Sequence, residues 1–298
     1  MLNTNEFKGR FGFGAMRLPM KDDEPDFELC NQMFDRFLEA GLNYFDTAHV
    51  YLGGKSEVAL RESLVKRHPR DSFFLVDKLT HGTFHDPASI RKVFQDELEA
   101  CGVEHFDLLL AHAVNSAHYE MYTRQGVFET AKEFVADGRA RHFGISYHDG
   151  PELLDRILTE HPEIEAVQLQ VNYEDWDSPG VQSHKVYDVA TAHGVPVIVM
   201  EPCKGGQLVN LPEVAQRALD AAPNPEGLSN AGFALRFCAT QPNVAMVLSG
   251  MNTMEQVEDN LHAMAGEPAP LTEAQLQALR DVHEAFASLG MIACTACH

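Results

Sequence analysis

Short apolar runs alternate with stretches of helical periodicity along almost the whole of this chain, and that order constrains its fold more than any other feature. Runs at 11–17, 43–47, 73–79, 106–111, 141–146, 166–171, 195–200 and 244–249 are bounded by turn residues and read as strands. Between them, helical patterns cover 26–40, 56–66, 87–101, 118–137, 151–160, 182–193, 228–240 and 253–264. In the first of these, Phe27, Cys30, Phe34, Phe37 and Leu38 fall on one face and Gly41 stands where the helix must stop; Gly102, Gly138 and Gly194 play the same part later. No hairpin signal recurs, so the strands must be joined by right-handed helical crossovers into a parallel sheet. Eight strands close such a sheet on itself. The expected fold is therefore α/β: a (β/α)8 TIM barrel over residues 1–290, with a short N-terminal β segment and extra C-terminal helices, the last a polar helix from the capping Thr272 to about Ala287. One long loop is expected between Met200 and Leu228, where Pro202, Gly205, Gly206, Pro212, Pro223 and Pro225 interrupt periodicity around a helical turn or two at 213–221.

Charge narrows the partners. The 23 basic and 44 acidic residues give a net charge of -21, which repels nucleic-acid phosphates and anionic lipid. No apolar run approaches the ~20 residues of a membrane span, and Met1–Arg10 lacks the basic-then-apolar order of a secretory leader. A cytoplasmic protein acting on a small molecule is expected. Cys30, Cys101, Cys203 and Cys238 lie isolated in apolar or helical patterns, as buried reduced thiols do. The glycines at 9, 12 and 14 miss the GxGxxG spacing and no helix start follows, which argues against a Rossmann fingerprint.

The chemistry lies at strand ends. The second strand ends by presenting Asp46 and, five residues on, Tyr51; the third ends in Lys78 and the fourth in His112. These are C-terminal ends, where barrel enzymes place their reactive groups. A phenol of ordinary pKa near ~10 donates poorly to a carbonyl unless a cation or a hydrogen-bonded relay stabilises its anion, and Lys78 and His112 are groups of those two kinds.

With these residues, FGFGAMRLP near the start, FDTAHVY, DLLLAHA, GRARHFGIS, VQLQVNY, VMEPCKGGQL and LSGMNTMEQVEDNL make the chain resemble an aldo-keto reductase over roughly residues 7–289. GISYHD, NYEDWDSPGVQS and VIVMEPCKGG are similar to the bacterial branch that often carries a C-terminal 4Fe-4S segment. The resemblance implies hydride transfer between a nicotinamide cofactor and a carbonyl or alcohol substrate. It makes Tyr51 the general acid, Lys78 with Asp46 the pair that tunes it, and His112 the group that orients the carbonyl oxygen. A non-catalytic nucleotide-sensing subunit, or an electron-transfer barrel, is the alternative.

For the cofactor, the resemblance assigns Gly14, Ala15, Met16 and Asp46 to cofactor binding, Ser146 and Gln168 to the nicotinamide carboxamide, and Met200 to the nicotinamide ring face, where most members have an aromatic residue. Pro202, Lys204, Gly205, Gly206 and Gln207 form the loop for the pyrophosphate; Gly250, Gln256, Asp259 and Asn260 contact the adenosine half. The family's usual basic positions for a 2′-phosphate are Gly250 and Gln256 here, so NADPH and NADH both stay open. Trp176, the single tryptophan, either lines the substrate pocket with Tyr51 and His112 or plugs the barrel mouth. His49, His81, His148 and His184 lie in loops without metal-ligand spacing.

Cys294 and Cys297 form a CxxC that directly abuts the last residue, His298. One CxxC supplies two ligands where a cluster needs four. The expectation is that residues 291–298 begin an iron–sulfur segment completed only in a longer chain, with no metal site in this one.

Overall fold

The computed structural model describes residues 2–289; Cys294 and Cys297 lie outside them. A single 3-10 turn at Thr4–Glu6 precedes β1 (Phe11–Gly14). The extra β segment is a hairpin of β2 (Met20–Lys21) and β3 (Glu24–Pro25), inserted between β1 and α1 (Phe27–Glu39). The βα units then follow: β4 (Tyr44–Asp46) and α2 (Lys55–Leu60), β5 (Phe74–Leu79) and α3 (Pro87–Cys101), β6 (Phe106–Val114) with α4 (Ser116–Gln125) and α5 (Val127–Ala136), and β7 (Ala140–Tyr147) with α6 (Pro151–Glu160). They continue with β8 (Val167–Gln170) and α7 (Ser183–Ala192), β9 (Val197–Met200) with α8 (Glu213–Asp220) and α9 (Asn230–Thr240), and β10 (Val244–Gly250) with α10 (Met254–Met264) and α11 (Glu273–Ser288). β1 pairs in parallel with both β4 and β10, and so closes an eight-stranded barrel.

The helix expected at 118–137 is two helices. Gly126, at φ 81°, ends α4 and opens α5; its left-handed backbone breaks the hydrogen-bond ladder while the apolar stripe continues through Val127 and Phe128, which is why periodicity alone merges them. The helix at 56–66 is α2 running on through a π turn at Arg61–Val65. α3 spans the expected residues, set by a capping box between Asp86 and Ser89, Pro87 in the first turn, and Gly102 at φ 70° beyond its end.

Two apolar layers hold the barrel. The larger fills the space between strands and helices; a smaller one lies inside the barrel and includes Tyr44, Phe74, Val76, Leu108, Leu110, Ile198, Met246 and Leu248, closed off below by Leu2 and Phe7. Gly12 and Gly144 keep this interior from overfilling. A Cβ on Gly12 would lie 2.6 Å from Leu248, and one on Gly144 would lie 2.5 Å from the backbone oxygen of Ala166.

Candidate active site

Strand periodicity assembles the site. Alternate residues share one face, so the interior series Tyr44–Asp46, Phe74–Val76–Lys78, Leu108–Leu110–His112, Gly144–Ser146, Ala166–Gln168 and Ile198–Met200 runs from apolar packing to polar chemistry at the C-terminal mouth. The opposite end holds a cavity of about 560 Å³ lined by Arg70, Asp107 and Arg141 among others. Its charges are spent on one another: Asp107 accepts from Arg70 at 2.7 Å, Arg141 at 3.1 Å and the Leu75 amide at 2.7 Å. That end fastens the barrel bottom.

At the mouth, Lys78 is fully buried and its ammonium donates to Asp46 Oδ1 at 2.5 Å and to the Thr47 carbonyl at 2.6 Å. The second Asp46 oxygen accepts from Gln168 Nε2 at 3.0 Å. Lys78 Nζ lies 4.9 Å from the centre of the Tyr51 ring. Burial lowers the Lys78 pKa, but the charges of Asp46, Tyr51 and Asp77 outweigh it and leave the ammonium more basic than usual. For Tyr51 the balance is the reverse of the simple expectation: burial raises its pKa by more than Lys78 lowers it, so the phenol is held protonated.

His112 meets the Tyr51 ring edge-on, with centroids 5.7 Å apart. Its strand slips register between Ala111 and Val114, and Ala113 adopts φ 53°. This bulge re-aims the end of β6 toward the mouth. Nδ1 of His112 is 2.8 Å from Thr80 Oγ1, and its backbone oxygen accepts from Tyr122 at 2.7 Å. Burial, then the charges of Lys78, His148, His81 and His118, hold its pKa well below the ordinary value, so the ring is neutral at neutral pH. His81 and His118 stack on each other at 3.8 Å. Thr80 and this histidine cluster were not predicted as a unit, because they come from the loop after β5, the end of β6, the start of α4 and the loop after β7, with no common spacing.

The cofactor positions are distributed as follows. Ser146 Oγ accepts from the Ala113 amide at 3.2 Å, and Met200 ends β9. Met16 is half exposed. Glu201 and Lys204 both have positive φ, a concentration of strained backbone at a strand end. The Lys204 ammonium turns inward to pair with Asp175, and the amides of Lys204, Gly206 and Gln207 are spent on Glu201, Cys203 and Lys204 carbonyls. Asp259 accepts from Ser229 at 2.6 Å, and buried Asn260 donates to Ser249 at 3.0 Å. Gln256 Oε1 accepts from the Asn252 amide at 2.8 Å.

Arg17 is the residue that sequence reading passed over. It follows Gly14, Ala15 and Met16 and lies across Gly250, where a Cβ would stand 3.5 Å from three carbons of its side chain. Its guanidinium makes a loose 3.5 Å pair with Glu201, both side chains being more than a third exposed, and approaches Gly205. A cation thus stands beside the position where sequence showed none. This guanidinium, rather than the amides of Lys204, Gly206 and Gln207, which are already paired, is the group here that fits an anionic nucleotide.

Trp176 stacks on His184 of α7, with centroids 4.5 Å apart, and packs edge-on against Phe237 of α9. No ring contact joins it to Tyr51 or His112 among the described residues.

Comparison with known proteins agrees with this architecture. An aldo-keto reductase from Klebsiella pneumoniae in complex with NADPH superimposes with a TM-score of 0.76, at 20% identity, covering 92% of this chain and 90% of that one. For the holo form of aldo-keto reductase AKR11C1 from Bacillus halodurans the values are 0.72, 24%, 92% and 91%. In sequence, L-galactose dehydrogenase of Arabidopsis thaliana is 24% identical, with 88% of this chain and 86% of the relative covered. At these identities the solved structures establish the fold alone. The model of the aldo/keto reductase family, however, matches residues 10–284, all eight barrel strands included, and to that family the chain belongs.

Proposed function

We propose that Tyr51 is the proton donor of a carbonyl reduction carried out at this mouth, and its acceptor when an alcohol is oxidised. Family membership makes the chain a nicotinamide-dependent oxidoreductase, and the bound nicotinamide supplies or takes up the hydride. The observation that carries the residue roles is the Asp46–Lys78–Tyr51 alignment, a buried ion pair aimed at a phenol. As the substrate carbon receives hydride, its oxygen takes the Tyr51 proton. Lys78 then faces a phenolate, whose charge it stabilises at short range in a site shielded from water. Asp46 and the Thr47 carbonyl keep the ammonium in place, and Gln168 keeps Asp46 in place.

His112 holds the same substrate oxygen. In the tautomer that donates from Nε2, Nδ1 must accept, and Thr80 Oγ1 is the donor at the required distance. The low basicity of the ring keeps it a neutral donor that does not compete with Tyr51 as acid.

For the cofactor, Ser146 and Gln168 would hold the carboxamide, Met200 would pack on the ring, and Asn260, Asp259 and Gln256 would face the adenosine. Arg17 would supply the phosphate-binding cation, since Lys204 is committed to Asp175. A single Arg shared with Glu201 supports use of both NADPH and NADH, with a modest preference for NADPH. The substrate class is small aldehydes, ketones or the corresponding alcohols. Oxidation of NADPH and NADH followed with a panel of aldehydes, quinones and sugars tests the reading. Cofactor binding without turnover across the panel would favour a nucleotide-sensing role instead.

A further inference from the structure

Behind the active site, on the outer face of the same strand, lies a cluster that hydride transfer does not use. Asp77 precedes Lys78 on β5 and points the opposite way, into the layer between the barrel and α2 and α3. There it meets Glu57 of α2 and Cys101 of α3, and the ligand atoms of these three lie within 4.8 Å of one another. Glu97, one helical turn before Cys101 on the same face of α3, is buried beside them and feels the charges of Asp77 and Glu57, but its oxygens stand outside the set of mutually close ligand atoms. All four side chains are at most 1% exposed. Both carboxylate oxygens of Glu97 are buried and have no hydrogen-bond partner.

The other atoms are only partly engaged. Asp77 accepts the Lys78 amide at 2.8 Å on one oxygen and the Cys101 thiol at 3.6 Å on the other. Glu57 Oε1 is 3.2 Å from His49 Nδ1. Among the described residues, no lysine or arginine side chain pairs with any of the four. Three carboxyl groups and a thiol in a water-free layer must hold either protons or a cation. The composition favours the cation. A thiolate with carboxylates is a borderline donor set that suits zinc-like ions rather than magnesium or calcium, and His49 stands behind Glu57 as an outer imidazole orients a ligating carboxylate.

We propose that Glu57, Asp77, Glu97 and Cys101 form a structural site for one divalent transition-metal ion of the zinc class, bracing the end of β5 that carries Lys78. Tetrahedral zinc, with bonds of about 2.0–2.3 Å, requires Glu57, Asp77 and Cys101 to close in from their mutual spacing of within 4.8 Å and the unpartnered Glu97 carboxylate to turn in as the fourth ligand. Thiol and carboxyl groups ligate a metal as their protons leave, so loading is coupled to proton release. The site is closed to solvent, so loading accompanies folding.

The test uses the full chain with Cys294→Ser and Cys297→Ser, which removes the terminal thiols as competing ligands. It is refolded with zinc or cobalt and dialysed free of excess metal. One ion per chain is expected, together with the thiolate-to-cobalt charge-transfer absorption and a rise in melting temperature on loading. Adding Cys101→Ser should abolish the charge-transfer band. Cys101→Ser or Glu97→Gln should each weaken zinc binding by more than the ~10–100-fold that loss of an outer-shell partner costs. Refolded protein that retains no metal, or that shows the same band with Cys101→Ser, overturns the proposal and leaves a cluster sharing protons. The cobalt spectrum of the intact cluster decides the matter even where the added substitutions prevent folding.

Discussion

The ammonium of Lys78 sits 4.9 Å from the centre of the Tyr51 ring and is anchored from behind by Asp46 at 2.5 Å. In the role proposed for it, Tyr51 is the group that gives its proton to the substrate oxygen, with Lys78 held beside it. Tyr51→Phe should leave folding and cofactor affinity unchanged and reduce turnover by on the order of 10² or more, since only the transferable proton is lost. Cofactor titration by fluorescence alongside steady-state rates checks both halves. Turnover near wild type would remove Tyr51 from the role.

Lys78→Met separates electrostatics from packing. Lys78 opposes the upward pull that burial exerts on Tyr51, so without it the Tyr51 pKa rises further. For alcohol oxidation, which needs the phenolate, the rising limb of the pH–rate profile should move to higher pH; an unmoved limb would show that Lys78 does not tune Tyr51. The substitution also strands a buried Asp46, a loss of about 3–5 kcal/mol, visible as a lower denaturation midpoint. The Lys78 pKa is raised in the fold, so its stabilising contribution is fully present below the unfolded value near ~10.4 and is lost as pH rises through the folded one. Adding Asp46→Asn should recover much of the stability but not the rate.

Thr80 is a positioning residue. Its hydroxyl can give its proton to His112 Nδ1, 2.8 Å away, or to the Lys78 carbonyl, 3.3 Å away, and only the first leaves Nε2–H for the substrate. Thr80→Val should lower kcat about tenfold, the scale of one hydrogen bond, with little change in cofactor affinity, and Thr80→Ser should restore the rate. A Val variant with full kcat would mean that the Thr80 contact is structural only.

Barrel closure was legible in the sequence because each strand is short, apolar and separated from the next by a helix, so Gly41 and Gly102 mark boundaries the structure reproduces. The strand-end positions of Asp46, Lys78 and His112 were legible for the same reason: alternation fixes which side chains point inward. Gly126 was not, since it interrupts the backbone without interrupting the apolar face. The fate of Lys204 was hidden because its partner Asp175 comes from another loop, 29 residues away. Glu57, Asp77, Glu97 and Cys101 read as unrelated residues of three elements, and only the folding of α2 and α3 onto β5 makes them neighbours.

The last prediction turns on Arg17. Sequence places Gly and Gln at 250 and 256, where a base would grip a 2′-phosphate, and so leads to a cofactor site that barely distinguishes NADPH from NADH. The structure lays the Arg17 stem across Gly250 and leaves its guanidinium in a 3.5 Å surface pair with Glu201. Such an exposed pair is worth little, about 0–1 kcal/mol, so a phosphate can displace Glu201 at small cost and form a stronger charge-assisted contact. Wild-type protein should therefore bind NADPH more tightly than NADH, but by no more than about tenfold, ~1.4 kcal/mol, because one exposed Arg does the work of two. Arg17→Ala should remove that preference by weakening NADPH about tenfold while leaving NADH within a factor of about three. Glu201→Gln should strengthen NADPH by freeing the guanidinium. Fluorescence titration of both cofactors at low and high salt measures all of this. Equal losses for the two cofactors in Arg17→Ala would instead assign Arg17 to the pyrophosphate, and no loss for either would remove it from the nucleotide site.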